Sequence, residues 1–376
     1  MIKVCGVTFA NGVNYGSEMQ LYALRTAIDR ITVEGEPCEY HLVFSVQDYV
    51  RYHNALKREF AKFIKNVLRR PFARFEKKWL VYAPAKKPQD LPALNRYYDA
   101  FVCGSDVIWN PDFNNKLEHY YLGFAEKYAF SYAASFGKQK LSDSEIEFAR
   151  KRLSRLSAIS VREKSGALLV QEKLGIPAVM MPDPVLLLNR EEWEKTASPA
   201  KPKEKYALIY STAPQLPGFK IMNELAAQTG CKVKTVKWVM GVAQKIKQGV
   251  FRFEAPEEWL ELIRDAEYVF TNSFHATVFS VIFHKKVFAI VEGKKTDGYN
   301  VRIYDFMEDV GLGDRILSSM PETLDLSEPD FARADRVMEA WREQGTTYLK
   351  NNLEAAYREK QALEQKLRKQ PEKDCQ

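Results

Sequence analysis

The chain has 376 residues, of which 46% are hydrophobic and 12% aromatic, enough for packed cores in about two domains. Its formal net charge of +7 is too small to indicate a nucleic-acid or membrane partner by itself. Its five cysteines are scattered without C-x-x-C spacing, which excludes a disulfide framework or zinc site and is typical of a reducing cytoplasm.

The N-terminal half alternates strands and helices as Rossmann-like domains do. Four strands are predicted, over residues 2–9, 98–103, 128–135 and 158–161. The first is a strand rather than a signal peptide, and a loop rich in glycine and asparagine leads from it to a helix near Glu18. Ser142 and Glu145 form a capping box for a second helix. A polar linker is predicted over residues 189–205, so the N-terminal domain spans residues 1–195.

Residues 51–87 depart from this plan because twelve basic side chains stand there against two acidic ones. One helical face of the segment is apolar, and its members are Leu56, Phe60, Phe63, Ile64, Val67 and Leu68. Phe72, Phe75 and Trp79 continue that face. Two interpretations stay open: a helix on an anionic membrane surface, or a helix that packs on the sheet with a solvated basic face.

The alternation restarts after the linker and predicts a second Rossmann-like domain over residues 202–326. Its remaining elements are strands over residues 206–211, 231–237 and 286–291 and helices over residues 218–229 and 256–265. Residues 330–376 are predicted to form a charged helical extension that packs back across the domains. No run of about 18 apolar residues is present, so no transmembrane helix is expected.

The most informative segment covers residues 268–283, where a strand, a polar turn and a helix follow one another. Thr271, Asn272 and Ser273 are strong N-cap residues, and His275 falls in the first helical turn. A helix N-terminus offers unpaired N–H groups and positive charge to a phosphate or carboxylate. Histidine can transfer a proton to such a ligand near neutral pH. The plainer alternative is a half-buried histidine bonded to a carbonyl.

Seven segments in this order resemble the polysaccharide pyruvyl transferases. They are residues 14–24, 104–110, 131–137, 159–166, 182–184, 271–276 and 302–315. The chain departs from the usual pattern at Ser17, Val107 and Ala276. The resemblance implies an α/β protein with two Rossmann-like domains facing each other across a cleft, as in GT-B glycosyltransferases. It also implies transfer of a pyruvyl group from phosphoenolpyruvate to a sugar, giving a cyclic ketal, with no cofactor or metal.

Set against that chemistry, His275 is the candidate donor of a proton to the enol carbon. Arg162 follows a strand and is the first candidate for binding the anionic donor, with a surface ion pair to Glu163 as its alternative. The other candidate donor-binding residues are Ser273, Phe274, Ala276, Lys286 and Arg302.

The acceptor sugar is expected on the N-terminal domain. Asp106 is the candidate base and Trp109 a candidate stacking platform, against the alternatives of a turn cap and a core residue. The other candidate acceptor-binding residues are Asn14, Tyr15, Ser17, Gln20 and Ser105. The remaining histidines are expected to be structural or exposed, and they are His41, His53, His119 and His284.

Three alternatives were weighed against pyruvyl transfer. A GT-B glycosyltransferase using a nucleotide-sugar would have the same two-domain shape, because a fold does not fix a function. A non-catalytic scaffold for polysaccharide assembly would rely on the basic segment alone. Nucleic-acid binding ranks lower because no recognition motif appears. The expected location is the cytoplasm or the inner face of the membrane, with a lipid-linked sugar as one candidate acceptor.

Overall fold

Two five-stranded sheets, one in each half of the chain, form the centre of the protein. The computed structural model describes residues 1–10, 13–43, 69–85, 87–114, 118–138, 140–199, 204–237, 254–293 and 298–369. The strands of the first half are β1 (Ile2–Val7), β2 (Thr32–Val33), β3 (Glu36–Leu42), β4 (Ala100–Cys103), β5 (Ala129–Ser131), β6 (Ser160–Val161) and β7 (Val179–Met180). Those of the second half are β8 (Tyr206–Ser211), β9 (Lys232–Lys237), β10 (Tyr268–Thr271), β11 (Lys286–Ile290) and β12 (Ile316–Leu317).

Helices connect these strands and cover their faces. The first half contains α1 (Tyr15–Asp29), α2 (described over 69–79), α3 (Pro111–Asn114), α4 (Asp143–Leu153), α5 (Lys164–Leu168) and α6 (Arg190–Thr196). The second half contains α7 (Pro217–Gln228), α8 (Pro256–Arg264), α9 (Phe274–Ile282), α10 (Gly298–Asp309) and α11 (Ala332–Lys369). Short 3₁₀ segments lie at Pro88–Arg96, Glu118–Tyr121, Pro184–Leu187 and Gly313–Arg315, and a π-helical turn lies at Leu169–Leu174.

Both sheets have the strand order of doubly wound domains. The first runs β2-β3-β1-β4-β5, parallel except for the β2–β3 pair, and β6 and β7 form a small parallel sheet beside β5. The second runs β12-β11-β10-β8-β9 and is parallel throughout. Parallel strands place their carboxyl ends at one edge, where ligands bind in such folds. The expected α/β architecture with two Rossmann-like units is confirmed.

An aromatic core joins the two domains. Tyr15 of α1 stacks on Trp259 of α8 with ring centres 5.2 Å apart and planes 3° from parallel. Phe72 of α2 lies 5.0 Å from the ring of Tyr15. All three side chains are buried in one cluster that draws on both domains. Such continuous burial fixes how the domains sit on each other.

Two sequence predictions need correction, and one of two open interpretations holds for the described end of the basic segment. Helix α1 begins at Tyr15 rather than near Glu18, because the Asn14 side chain accepts hydrogen bonds from the first turn. The predicted linker contains α6, whose capping box pairs Asn189 with Glu192. The apolar residues at the end of the basic segment face the core and not a membrane, since Phe72 and Phe75 are buried. Residues 51–68 of that segment lie outside the described residues.

Helix α11 crosses both domains as predicted. Ala334 and Met338 near its start belong to the cluster shared by the domains, while Leu349 and Leu353 pack in the N-terminal domain. Between them, Gly345 lies so close to the N-terminal domain that a Cβ atom there would be 2.4 Å from the Tyr132 hydroxyl. The helix therefore connects the domains, and its start belongs to the same cluster as the aromatic core.

The histidines outside the site have structural surroundings in the described part of the chain. His41 contacts the Tyr98 hydroxyl at 2.8 Å, and His284 contacts Asp335 at 2.8 Å. His119 is buried, and its Nε2 atom has no hydrogen-bond partner among the described residues. Burial lowers the pKa of His119 to about 4 because the charged ring is poorly solvated there. His53 lies outside the described residues.

Replacing Gly345 by alanine should destabilise the protein by about 1–3 kcal/mol, as overpacking does in rigid cores. The added methyl group would meet the buried Tyr132 hydroxyl, and this outweighs the helix propensity that alanine gains. Urea unfolding of Gly345→Ala measures the change, with alanine at the exposed neighbour Glu343 as the control. A Gly345→Ala protein as stable as the wild type would contradict the close approach.

The depressed pKa of His119 predicts a pH-dependent stability. Between pH 6.5 and 4 the unfolded chain binds a proton at this residue and the folded chain does not. Stability present above pH 6.5 should therefore be lost as the pH falls, by roughly 3 kcal/mol in total. His119→Asn should flatten that part of the unfolding free-energy profile, and His284→Asn should not. Parallel profiles for wild type and His119→Asn would refute the assignment.

Candidate active site

Four elements bring side chains together on one oxygen atom, Oδ2 of Asp183. This residue follows β7, and its neighbour Arg162 follows β6. Arg162 Nη1 donates to Oδ2 at 2.9 Å, and Gln20 Nε2 from α1 donates to the same atom at 2.5 Å. His275 Nε2, from the first turn of α9 in the other domain, lies 3.4 Å from it. The second oxygen, Oδ1, accepts from the Val185 backbone N–H at 3.2 Å.

The charges of this cluster support one another. Burial alone raises the pKa of the Asp183 carboxyl, but the neighbouring charges of His275 and Arg162 outweigh it and hold this pKa well below its ordinary value. Burial opposes the charge of Arg162, yet its carboxylate neighbours Glu163, Asp183 and Asp106 raise the guanidinium pKa above its usual range. Both groups are therefore ionised at every physiological pH.

His275 is held from both sides of its ring. Ser273 caps α9 as predicted, with its side chain accepting from the Ala276 N–H at 3.4 Å. The opposite ring nitrogen, Nδ1, faces the first turn of α1, where a Cβ atom on Gly16 would lie 2.1 Å from it. The side chain stays 12% exposed. The ring thus occupies the contact between the N-termini of two helices, one from each domain.

A cavity that is open to solvent begins beside this cluster. Its lining includes Arg162, Asp183, Phe274, Arg302 and Trp341. The guanidinium carbons of Arg162 and Arg302 lie 5.6 and 5.5 Å from the centre of the Phe274 ring. Arg162 is 7% exposed, and its Nη2 group has no hydrogen-bond partner among the described residues. This buried donor can hold an anionic oxygen that enters the cavity.

The candidate base lies near these groups. Asp106 follows β4, and its Oδ2 atom accepts from the Ser17 hydroxyl at 2.9 Å. Its Oδ1 atom accepts from the Val107 N–H at 2.8 Å. The side chain is partly exposed, and its charge acts on Arg162. The structure therefore brings Asp106, Ser17, Gln20, Arg162 and His275 into one neighbourhood.

Sequence comparison identifies the family. A model of the polysaccharide pyruvyl transferases matches residues 14–293, a span that includes all but one of the candidate residues. The chain belongs to the polysaccharide pyruvyl transferase family. It is therefore a transferase of polysaccharide biosynthesis. A search of curated proteins finds no match to it.

Solved structures with related folds share little sequence with this family member. S. aureus MnaA, solved with UDP, is 12% identical, with 90% of this chain and 95% of that chain covered and a TM-score of 0.47. Anabaena Alr3699/HepE, solved with UDP-glucose, is 11% identical, with coverages of 96% and 95% and a TM-score of 0.46. E. coli ADP-heptose lps heptosyltransferase II is 10% identical, with coverages of 91% and 99% and a TM-score of 0.40.

Four predicted site residues of the transferase lie elsewhere. Tyr15 and Trp109 are fully buried in core clusters, so neither ring presents a face to a sugar. The Ser105 side chain is buried and donates to the Ala133 carbonyl at 2.7 Å. Lys286 begins β11, at the edge of the sheet opposite His275, and pairs there with Glu267 at 3.0 Å. These four side chains take part in core packing, hydrogen bonding or ion pairing within the fold.

Two other candidates have mixed surroundings. The Asn14 side chain caps α1 by accepting from the Gly16 N–H at 3.0 Å. Its amide nitrogen is not committed by that bond. Arg302 lines the cavity as a donor-binding residue should.

Asp183 is the residue that sequence reasoning missed. The Pro182-Asp-Pro184 segment contributed to the family resemblance, but the carboxylate received no role. The sequence signal that could have identified Asp183 is a single acidic residue between two prolines, directly after a strand. Glu163, predicted only as a surface partner of Arg162, lies 3.5 Å from Arg162 Nε and accepts from Ser135.

Two further findings concern metals and membranes. Within the described ranges, no group of three or more His, Cys, Asp or Glu side chains is arranged to hold a metal ion. Metal independence itself stays a prediction. None of the described helices has the length and hydrophobicity needed to cross a membrane.

Gly16→Ala should inactivate the transferase without unfolding it. The added Cβ would collide with the His275 ring, which can swing away because it is the end of a side chain. We expect a loss of about 100-fold in turnover, the lower limit for removing a positioned acid. Thermal melting should be unchanged or slightly raised, because alanine favours the helix.

The matched control is Gly313→Ala, whose Cβ would be 3.4 Å from Glu308, near an ordinary contact distance. That variant should retain wild-type turnover. If Gly16→Ala is as active as the control, the ring does not need the position that the structure gives it.

Proposed function

We propose that this protein transfers the pyruvyl group of phosphoenolpyruvate to two hydroxyls of one sugar, forming a cyclic ketal and releasing phosphate. The observation that carries the proposal is the convergence of Arg162 and His275 on Asp183 beside the cavity. One of these residues suits anion binding and the other proton transfer, and they come from different domains. A cleft reaction between two substrates needs this arrangement.

Recognition of the donor rests on Arg162. Phosphoenolpyruvate carries a phosphate and a carboxylate, both of which bind guanidinium groups through paired hydrogen bonds. Arg162 lines the cavity and is fixed by Asp183 through Nη1, and its buried Nη2 has no hydrogen-bond partner among the described residues. Arg302 and the N-terminus of α9 at Ser273 to Ala276 supply further positive potential. The Phe274 ring between the guanidinium groups limits where the donor can lie.

Transfer begins with a proton from the His275 imidazolium to the methylene carbon of the donor. The carbon bearing the phosphate ester becomes oxocarbenium-like, and a sugar hydroxyl attacks it. The carbon–oxygen bond to phosphate then breaks, and the second hydroxyl closes the ketal. Of the two hydroxyl protons released, one returns to His275 and the other, accepted first by Asp106, leaves on phosphate.

The acceptor would approach from the side of Asp106. Its carboxylate is partly exposed and is oriented by Ser17 and by the Val107 N–H. A fixed carboxylate can accept the proton of an attacking hydroxyl. Gln20 and Asn14, on the same helix terminus, are the remaining polar groups we assign to the acceptor. A lipid-linked acceptor stays a prediction, and so does contact of the basic segment at residues 51–87 with an anionic membrane.

Glycosyl transfer from a nucleotide-sugar is the other candidate. The family match favours the pyruvyl reaction, and a buried guanidinium suits a small acidic donor. Thermal shift with phosphoenolpyruvate and with a panel of nucleotide-sugars separates the two. Stabilisation by a nucleotide-sugar alone would favour glycosyl transfer.

His275→Gln should strongly lower turnover and leave donor binding intact. The variant keeps a polar side chain of similar reach but cannot supply an acidic proton, so we expect a loss of at least ~100-fold. Phosphate release from phosphoenolpyruvate, with galactose, glucose and N-acetylmannosamine acceptors, measures turnover. Calorimetric titration with phosphoenolpyruvate should show affinity within about threefold of wild type, because binding is assigned to the arginines.

His284→Gln is the control for this experiment, since it removes a histidine of the same domain that pairs with Asp335 away from the cleft. It should be fully active. Near wild-type turnover by His275→Gln would remove the proton-donor assignment, and failure of the wild type to bind phosphoenolpyruvate would remove the donor.

A further inference from the structure

We infer that Asp183 is the positioning residue of the active site, holding the proton donor and the anion-binding group on one carboxylate oxygen. This inference rests on the proposed function, because it gives Asp183 a role through His275 and Arg162. The residue itself need not touch either substrate.

The first argument is geometric. Asp183 Oδ2 accepts hydrogen bonds from Arg162 at 2.9 Å and from Gln20 at 2.5 Å. It lies 3.4 Å from His275 Nε2. Arg162 and Gln20 belong to the N-terminal domain and His275 to the other domain. Within the described part of the chain, His275 Nε2 has no hydrogen-bond partner, so its 3.4 Å approach to Asp183 is its polar contact across the interface. A single atom therefore sets the distance between the two groups that the reaction needs.

The second argument concerns burial. The Asp183 side chain has no exposed surface, and a buried carboxylate is costly unless it is paired. A purely structural acid could be satisfied by Arg162, Gln20 and the Val185 N–H alone. The additional approach of a histidine from the other domain is not needed for that purpose. Its presence indicates that the carboxylate also serves the ring.

The third argument concerns rigidity. Pro182 and Pro184 flank Asp183, and the 3₁₀ segment Pro184–Leu187 begins directly after it, capped by its Oδ1 atom. On the opposite side of the ring, Gly16 leaves no space for His275 to move toward α1. The ring is thus enclosed between a fixed carboxylate and a helix terminus. Groups that act in catalysis are effective when held in this way.

The test is a double-mutant cycle between Asp183→Asn and His275→Gln. Asparagine keeps the size of the side chain and removes its charge. In the wild-type background, Asp183→Asn should lower kcat by about 30-fold or more and weaken phosphoenolpyruvate binding, because both dependent groups lose their anchor. In the His275→Gln background, it should lower kcat by less than about threefold further while still weakening binding.

A structural role alone predicts a different result, in which Asp183→Asn lowers kcat by the same factor in both backgrounds. That outcome would overturn the inference but leave the proposed reaction intact. If instead His275→Gln itself is active, the proposed function fails first. The two failures are therefore distinguishable.

Asp183→Glu provides a second variant if the asparagine protein does not fold. It retains the charge and moves the carboxylate by one methylene, so the anchor stays but its position changes. We expect a folded protein with kcat lowered at least about tenfold. Circular dichroism checks the fold, and Asp112→Asn, at an exposed ion pair with Lys138, is the matched control. Turnover by Asp183→Glu within twofold of the control would overturn the inference.

Discussion

The contact of Asp183 with groups from both domains is the constraint on which the site depends. A carboxylate without exposed surface must be compensated by nearby charges and donors, or its burial would cost several kcal/mol. Arg162 and Gln20 provide much of that compensation from within one domain, and His275 adds to it from the other. Because the same contact holds Arg162 and His275 together, folding and assembly of the candidate site are coupled at one atom.

The rest of the architecture keeps that contact at a fixed distance. The 3.4 Å distance between His275 Nε2 and Asp183 Oδ2 joins the two domains. It is kept only if the domains do not move relative to each other. The stack of Tyr15 on Trp259 and the burial of Phe72 fill the interface below the cleft. Helix α11 packs against this same shared cluster at its start and against the N-terminal domain farther along. The basic segment thus contributes, through its described end, to domain packing.

Local patterns predicted most of the strands and the helix that carries His275, because N-cap residues and apolar periodicity act over a few residues. β3 was missed although Cys38, Tyr40 and Leu42 alternate with polar residues, which is the pattern of a half-buried strand; it pairs with β1. The start of α1 and the existence of α6 were missed although Asn14 and Asn189 are good N-caps.

The candidate site shows the same contrast between residues that local patterns predict and residues that were missed. Arg162 and His275 were found because each follows a buried strand, a position that the chain itself reveals. Asp183 was missed because its importance arises from three elements that meet only after folding. Tyr15 and Trp109 were misplaced because an aromatic residue in a polar segment can pack in a core or bind a sugar, and the sequence does not distinguish these cases.

The charge of the cavity determines how the donor would be recognised. Its lining contains three basic residues, Arg162, Lys164 and Arg302, and four acidic ones, Glu163, Asp183, Asp305 and Asp309. Several of these are paired, as Lys164 is with Asp309 at 3.0 Å. A cavity so nearly balanced does not attract an anion by its net field. Selectivity must come from the buried Nη2 of Arg162, whose desolvation is already complete before the donor arrives. On the proposed function, a ligand with no oxygen at this position would leave that group without a hydrogen-bond acceptor.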